Sequence, residues 1–415
     1  MNIAIVGAGI AGISTALEFA HDGHQVTVYE QMNATTEDAS FAPGGWLSPL
    51  AAQSLATPGA GMPLKLLQSG KDLTQASSLI GSTTWRWLRQ WKKHEKNVLK
   101  HGDFSLLNAL NTLENYSASL RWQHCEDTDI AAEHRQGNLI VLRTPQEVEL
   151  WGALTPQLEP YGIQCQLLSA PQVRALEPGL GTEIPWLHAL HFPSGESINP
   201  RLWAHHLRLR AQEAGVHFRT GMPIEKLSTQ PTGVVINHQL HPFDHIVLCT
   251  GAHTHLLSQL GLHLPVMPIY GYSVTAPVRE PLNAPRGAIM DWAQQVTISR
   301  MGQRIRITAG LEIGSEATAP HNSSTLQRMY RLLNDWFPGG AHLSSPQVQV
   351  WRGARGYLPD GLPIVSNSSH PGIWLNLAHG SHGISLSPGC ARAVADLVQQ
   401  KIPAIDMQAF SVQRF

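Results

Sequence analysis

Residues 1–30 read MNIAIVGAGIAGISTALEFAHDGHQVTVYE, and the fold class turns on them. "NIAIVG" is a short apolar, β-branched run closed by glycine, as a buried parallel strand requires. Gly7, Gly9 and Gly12 follow as G-x-G-x-x-G. The first glycine makes the tight turn, the second admits backbone to a pyrophosphate, and the third lets helix pack on strand. "ISTALEFAHDG" continues as a helix with Ile13, Leu17 and Ala20 apolar and Gly23 at its end. "QVTVYE" is a second strand ending in Glu30. An acid there accepts hydrogen bonds from ribose hydroxyls and repels the extra phosphate of NADP. Strand, turn, helix, strand and acid at this spacing predict a dinucleotide site. They leave open whether its ligand is a nicotinamide or a flavin.

At 415 residues the chain is long enough for two domains. Its formal net charge of -1 gives no global attraction to nucleic acid or acidic membranes. Hydrophobic content of 42% with 14% charged residues describes a globular protein with a large buried surface. No apolar run has the length of a membrane span. The first strand begins at the N-terminus, leaving no space for a basic, cleavable signal, so a cytoplasmic location is expected. Cys125, Cys165, Cys249 and Cys390 are scattered and fit neither a disulfide framework nor a zinc site. The tightest histidine groups, His205–His206, His253/His255 and His379/His382, lack the carboxylate or cysteine partners of a metal site. No metal is expected.

Beyond Glu30 runs a Gly-, Pro-, Ser- and Ala-rich loop, "SFAPGGWLSPLAAQSLATPGAGMPLKLL" (40–67), permissive enough to lie against a flat ligand. Residues from about 79 to 120 have a helical pattern. "GNLIVLRT" (137–144) predicts a strand and "PQEVELWGALTPQLEPYG" (145–162) a helix. A second α/β unit follows, with the strand "LHALHF" and a helix over 198–215 carrying Leu202, Leu207 and Leu209. Next come "VHFR", "GVVIN" and "DHIVLC", the last leading into "TGAHT". Strands dominate 263–344 until the helix "TLQRMYRLLNDWF", and the chain closes with strand, glycine loop and helix.

"DHIVLC" followed by Thr250 and Gly251, "WRGARGYLPDGLPIV" (351–365) and "LNLAHGSHGISLSPG" (375–389) complete a set with the opening turn. Together they resemble the FAD-dependent D-amino acid oxidase superfamily, which includes glycine oxidase and sarcosine oxidase. "SFAPGGWLSPLAA", "PGAGMPLKLL" and "PIYGYSVTAP" are most similar to its bacterial D-amino acid dehydrogenase branch. The resemblance covers nearly the whole chain and implies FAD. It implies an α/β fold with a Rossmann-like FAD-binding domain of the two-dinucleotide-binding-domain flavoprotein type. A substrate domain of α+β type, with a mixed or antiparallel sheet, interrupts it. The FAD domain is expected from segments 1–78, 186–262 and 345–415, and the substrate domain from 79–185 and 263–344.

The expected cofactor contacts are Gly7, Gly9, Ile10, Ala11 and Gly12 at the pyrophosphate, with Glu30, Gln31 and Ser40 nearby. By family position Ile224 lies near the adenine, Thr250 and Gly251 belong to the second dinucleotide motif, and Gly44, Gly45 and Trp46 approach the flavin ring. Gly380, Ser381, His382, Gly383, Ile384 and Ser385 close on its pyrimidine end. Arg355 matches the family's carboxylate-binding arginine, a planar fork suited to two parallel hydrogen bonds. The family has proline next, whereas Gly356 stands here, which predicts a looser arginine. Tyr270 and Tyr272 alternate onto one strand face, either lining the substrate pocket or packed in the sheet. The dehydrogenase branch has lysine at position 270. His379 also matches a family position.

The implied reaction is oxidative deamination of an amino acid, D-configured, by hydride transfer from Cα to flavin N5. It yields the 2-oxo acid and ammonia, with quinone or oxygen as electron acceptor. Secondary-amine oxidation (sarcosine- or proline-like) and a tRNA-modifying flavoprotein of the same fold are the alternatives, although no nucleic-acid partner is expected. "WRWLRQWKKHEKNVLK" (85–100) interleaves Trp85, Trp87 and Trp91 with Arg86, Arg89, Lys92, Lys93, Lys96 and Lys100. It reads as an amphipathic helix with tryptophans inward and lysines in water, or as a peripheral contact with the inner face of the cell membrane.

Overall fold

The computed structural model describes residues 1–48, 73–76, 81–101, 105–123 and 133–415. Residues 49–67 of the permissive loop and the expected boundary at 78/79 lie outside the described residues.

The first strand, Asn2–Val6, is central to a six-stranded sheet. The order is Ile364–Asn367, Ile373–Leu377, His245–Leu248, Asn2–Val6, Gln25–Tyr29, His217–Arg219, parallel except for the first pair. Both faces are covered, which explains the unbroken apolar run. Ile3 and Ile5 pack with Leu17, Phe19, Trp203 and Val394 under the helices Ile10–His21, Pro200–Glu213 and Gly383–Val398. Ala4 and Val6 pack with Leu227 and Val234 under the three-stranded antiparallel sheet of Lys226–Thr229, Thr232–Ile236 and Gln239–Pro242. On Pro200–Glu213 the buried stripe is Trp203, Ala204, Leu207 and Ala211, while Leu202 and Leu209 face outward. The tryptophan sets the inward face, one helical repeat of four residues before Leu207 and two before Ala211. Arg392 of the last long helix forms ion pairs with Glu18 at 3.0 Å and Asp22 at 2.6 Å on the first.

The second sheet has ten strands, in the order Gln349–Tyr357, Met267–Pro277, Arg304–Ile313, Val296–Met301, Ala288–Asp291, Arg135–Leu142, His188–Ser197, Trp46–Ser48. Thr74–Ala76 and Gln166–Ser169 add on at Arg304–Ile313 and His188–Ser197. It is mixed and largely antiparallel. Helix Ser323–Trp336 covers part of it, burying Met329, Leu333 and Trp336 against Val274, Ile298 and Ile307.

Four strands differ from the sequence expectation. "LHALHF" lengthens to His188–Ser197 and pairs with Arg135–Leu142, and "WRGARGY" pairs with Met267–Pro277. Both hydrogen-bond in the ten-stranded sheet, as do Trp46–Ser48 and Thr74–Ala76, although the expected segments 1–78, 186–262 and 345–415 assign all four to the FAD-binding domain. An apolar run specifies a strand but not its partner, which non-local register decides.

The basic helix spans Ser82–His101. Trp87, Leu88 and Trp91 are buried with Met267, Ile269, Ile313 and Tyr357. Trp85 is 56% exposed, and Arg86, Arg89, Lys92, Lys93 and Lys96 are exposed with it. The Lys100 side chain lies outside the described set.

The two sheets meet at Gly356. A Cβ there would lie 2.8 Å from the Gly251 carbonyl oxygen and 2.9 Å from Ala252 Cα. Backbone presses on backbone at this point, so glycine holds Arg355 in place and does not loosen it. Gly356→Ala is expected to lower the denaturant midpoint, at a cost of about 1–3 kcal/mol for the forced displacement. An unchanged midpoint would mean that the two units do not depend on this contact.

Candidate cofactor groove and active site

Gly7 leaves the first strand at φ +104°, and a Cβ on it would lie 2.5 Å from the Cys249 carbonyl oxygen. A Cβ on Gly12 would lie 1.9 Å from the Gly7 carbonyl oxygen. The helix thus starts directly against the turn, and Gly9 caps it with no side chain in the way. The Ile10 N–H donates to Ser40 Oγ at 3.0 Å. Glu30 is pinned from both sides: Oε2 accepts from the Ala8 N–H at 2.7 Å and Oε1 from the Met32 N–H at 2.9 Å.

These residues border a groove of about 350 Å³. Its lining extends from Glu30, Gln31 and Ile224 past Gly7, Gly9, Ile10, Ala11, Ser40, Thr250 and Gly251 to Arg355, His379, Gly380 and Gly383. At its rim His253 Nε2 meets Asp38 Oδ2 at 3.1 Å, a bond that raises the His253 pKa. A long trough with a Cβ-free turn at a helix N-terminus and a fixed carboxylate fits a dinucleotide.

A smaller cavity of about 110 Å³ shares Ala39 and Arg355 with the groove. Gly44, Gly45, Trp46, Ser381 and Ile384 line it, together with Met290, Thr297, Thr308, Leu311, Trp351 and Tyr357. Gly45 has φ +75°, and a Cβ on it would sit 2.1 Å from the Ile198 carbonyl oxygen. Arg355 Nη1 donates to Ser381 Oγ at 3.0 Å and Nη2 to the Gly310 carbonyl at 3.4 Å. The guanidinium occupies the space above Gly271, where a Cβ would be 1.8 Å from Nη2. Among the described residues no carboxylate forms an ion pair with it.

Tyr270 and Tyr272 do not join Arg355. Arg355 pairs with Ile269 across the strands and Tyr270 with Ala354, so alternation puts the tyrosines on the opposite sheet face. The Arg352 guanidinium lies 4.0 Å over the Tyr270 ring. The Tyr272 hydroxyl donates to Glu312 at 2.7 Å and accepts from the Asn322 N–H at 2.8 Å. Glu312 in turn accepts from Arg352 at 2.8 and 2.9 Å. Tyr272 touches the smaller cavity, but its hydroxyl is committed.

His379 lines the groove, fully enclosed, with Nε2 bonded to Asn376 Oδ1 at 2.9 Å. Asn376 donates to Thr15 Oγ1, which donates to the Ala11 carbonyl, so a polar spine runs beneath the turn. Burial pushes the His379 pKa down to about 4. Burial, then the charge of Arg355, does the same for His382, also to about 4. The Nε2 contact with Asn376 makes His379 the end of that spine. Gly12, His382 and Ser385 line neither cavity. Gly12 serves the helix–turn contact, and the Ser385 carbonyl accepts from buried Arg121 at 3.4 Å. The sequence reading missed Tyr357. Its signal was a position two residues beyond Arg355, hence the same face.

Comparison with known proteins decides the family. The model of the family described as "DAO: FAD dependent oxidoreductase" matches residues 2–397. The chain belongs to this family. Its cofactor is FAD. The chain is 30% identical over 442 aligned residues to the D-amino acid dehydrogenase of Cereibacter sphaeroides, covering 100% of itself and 95% of that protein. In fold it is similar to glycine oxidase from Geobacillus kaustophilus, with TM-score 0.74, 22% identity, and 100% and 98% of the two chains covered. It is also similar to iminodiacetate oxidase from Chelativorans sp. BNC1, with TM-score 0.73, 17% identity, and 99% and 98% covered. As a member of the FAD-dependent oxidoreductases, the chain has a groove whose shape and donors match the family's cofactor.

The buried histidines make stability depend on pH. Their folded pKa of about 4 lies below the ordinary 6.5, so the unfolded chain binds more protons in that window. Unfolding free energy is expected to fall as pH drops from about 6.5 to 4, by up to about 1.4 kcal/mol per pH unit per histidine. His382→Gln should remove one histidine's share of that slope in denaturant titrations across the window. An unchanged slope would mean that His382 is not held neutral.

Proposed function

We propose that the protein oxidises an α-amino acid, D-configured, to the imino acid, which water converts to the 2-oxo acid and ammonia. Quinone or oxygen takes the electrons onward. Supporting this reading are the FAD family, the D-amino acid dehydrogenase relative and, above all, one observation: the Arg355 guanidinium faces a cavity at the end of the groove with no carboxylate partner among the described residues. A half-buried guanidinium with donors still open toward a cavity favours an anionic ligand.

In this reading Gly7, Gly9, Ile10 and Ala11 hold the pyrophosphate, Glu30 the ribose, and Gly44–Trp46 with Gly380–Ile384 the ring. Bound FAD supplies the two-electron acceptor. The chain orients the substrate: Arg355 grips its carboxyl end, and Trp46, Met290, Leu311 and Trp351 keep water from the reacting carbon. Asp, Glu, Lys and His are absent from the smaller cavity's described lining. This favours a small or apolar neutral side chain.

The test is anaerobic titration of the yellow protein with D- and L-amino acids. At least one small or apolar D-amino acid should bleach it. Arg355→Lys should keep bound flavin and raise KM by about 10- to 100-fold, since a point charge replaces a fork. Loss of flavin in that variant would make Arg355 structural.

The basic helix supports a peripheral membrane contact. At helical spacing Trp85, Arg86, Arg89, Lys92, Lys93 and Lys96 share one face, opposite Trp87 and Trp91. Such a face matches anionic headgroups, at about 1 kcal/mol per basic residue. Sedimentation with anionic but not neutral vesicles is expected, and Lys92→Glu with Lys93→Glu should release the protein. Preferential binding to tRNA would overturn this and favour the RNA reading.

A further inference from the structure

Arg355 has one neighbour whose function is not covered by the carboxylate grip alone. Tyr357 lies two residues further along the same strand, so its side chain shares the face of Arg355. Both residues line the smaller cavity with Ser381. Ser381 Oγ accepts from Arg355 Nη1 at 3.0 Å and also makes a short hydrogen bond with the Tyr357 hydroxyl. Counting protons is informative here. The two hydroxyls own two protons, and their mutual bond consumes one. Whichever group donates, the other keeps a free O–H beside the guanidinium. Nη1 is already engaged, so the fork offers an incoming carboxylate less than its full set of donors.

The tyrosine cannot swing away. Its ring lies against Gly380, where a Cβ would be 2.8 Å from the ring edge, and Gly380 itself has φ +57°. Its backbone carbonyl accepts from the Trp87 indole N–H at 3.3 Å. Glycine at 380 and tryptophan at 87 therefore fix the phenol where the cavity, Ser381 and Arg355 meet.

We propose that the Tyr357–Ser381 hydroxyl pair is the second ligand of the substrate carboxylate, donating one hydrogen bond beside Arg355. Tyr357 lies on the strand next to the one that carries Tyr270 and Tyr272. The proposal rests on the reading of Arg355 as the carboxylate grip.

The test uses the holoenzyme and the D-amino acid that bleaches it at lowest concentration, with D-alanine first in the panel. The control is the amine left on removing that acid's carboxyl group. Anaerobic rapid mixing gives a dissociation constant and a limiting reduction rate, and absorbance gives flavin per chain. Tyr357→Phe should keep full flavin, weaken amino-acid binding about tenfold and change the limiting rate less than threefold. The response to the carboxyl-free amine should not change. Ser381→Ala should weaken binding in the same direction. A dissociation constant within twofold of the parent, equal weakening toward the amine, or loss of flavin would each overturn the proposal. Arg355→Lys is the separating arm: if it too leaves amino-acid binding unchanged, the carboxylate reading fails first.

Discussion

A half-buried guanidinium with no carboxylate counter-ion among the described residues, set where two sheets meet, is the constraint around which this site is arranged. Desolvating a cation costs free energy that a hydroxyl and a carbonyl only partly offset. Arg355 has only these partners among the described residues, Ser381 and Gly310. The surrounding structure keeps it there. Gly271 clears the volume it fills, and Gly356 lets its strand touch the nucleotide unit.

The cofactor groove follows from a related economy. Backbone replaces side chain along the groove at Gly7 and Gly9, and polar side chains brace that backbone from behind. Thr15, Asn376 and His379 tie the first helix to the last strand and to the loop that ends the groove. Glu30 is held by its own neighbours' N–H groups before any ribose arrives. Such preorganisation lowers the ordering cost of binding.

What the sequence revealed and what it concealed divide along one line, locality. The turn from Gly7 to Glu30 was legible because all its parts lie within thirty residues and their spacing carries the geometry. The helix of interleaved tryptophans was legible for the same reason, since 3.6-residue periodicity separates Trp87 and Trp91 from the lysines. Sheet membership was not: His188–Ser197 and Gln349–Tyr357 look like any apolar strand, and only long-range register assigns them. The tyrosines illustrate the same limit. Alternation correctly put Tyr270 and Tyr272 together, but which side faces Arg355 depends on the pairing of Ile269 with Arg355, eighty-odd residues away. Alternation from Arg355 itself would have reached Tyr357.

The clasp of Arg392 on Glu18 and Asp22 has a temporal consequence. The opening strand is flanked by His245–Leu248, which neighbours Ile373–Leu377, and the opening helix lies against Gly383–Val398. The glycine turn and the partners that support it therefore lie far apart along the chain. The nascent chain must carry that apolar segment unfinished through most of synthesis, as expected for a topology rich in distant contacts. The glycine turn is thus fully supported only once a strand and a helix far away in sequence have joined it.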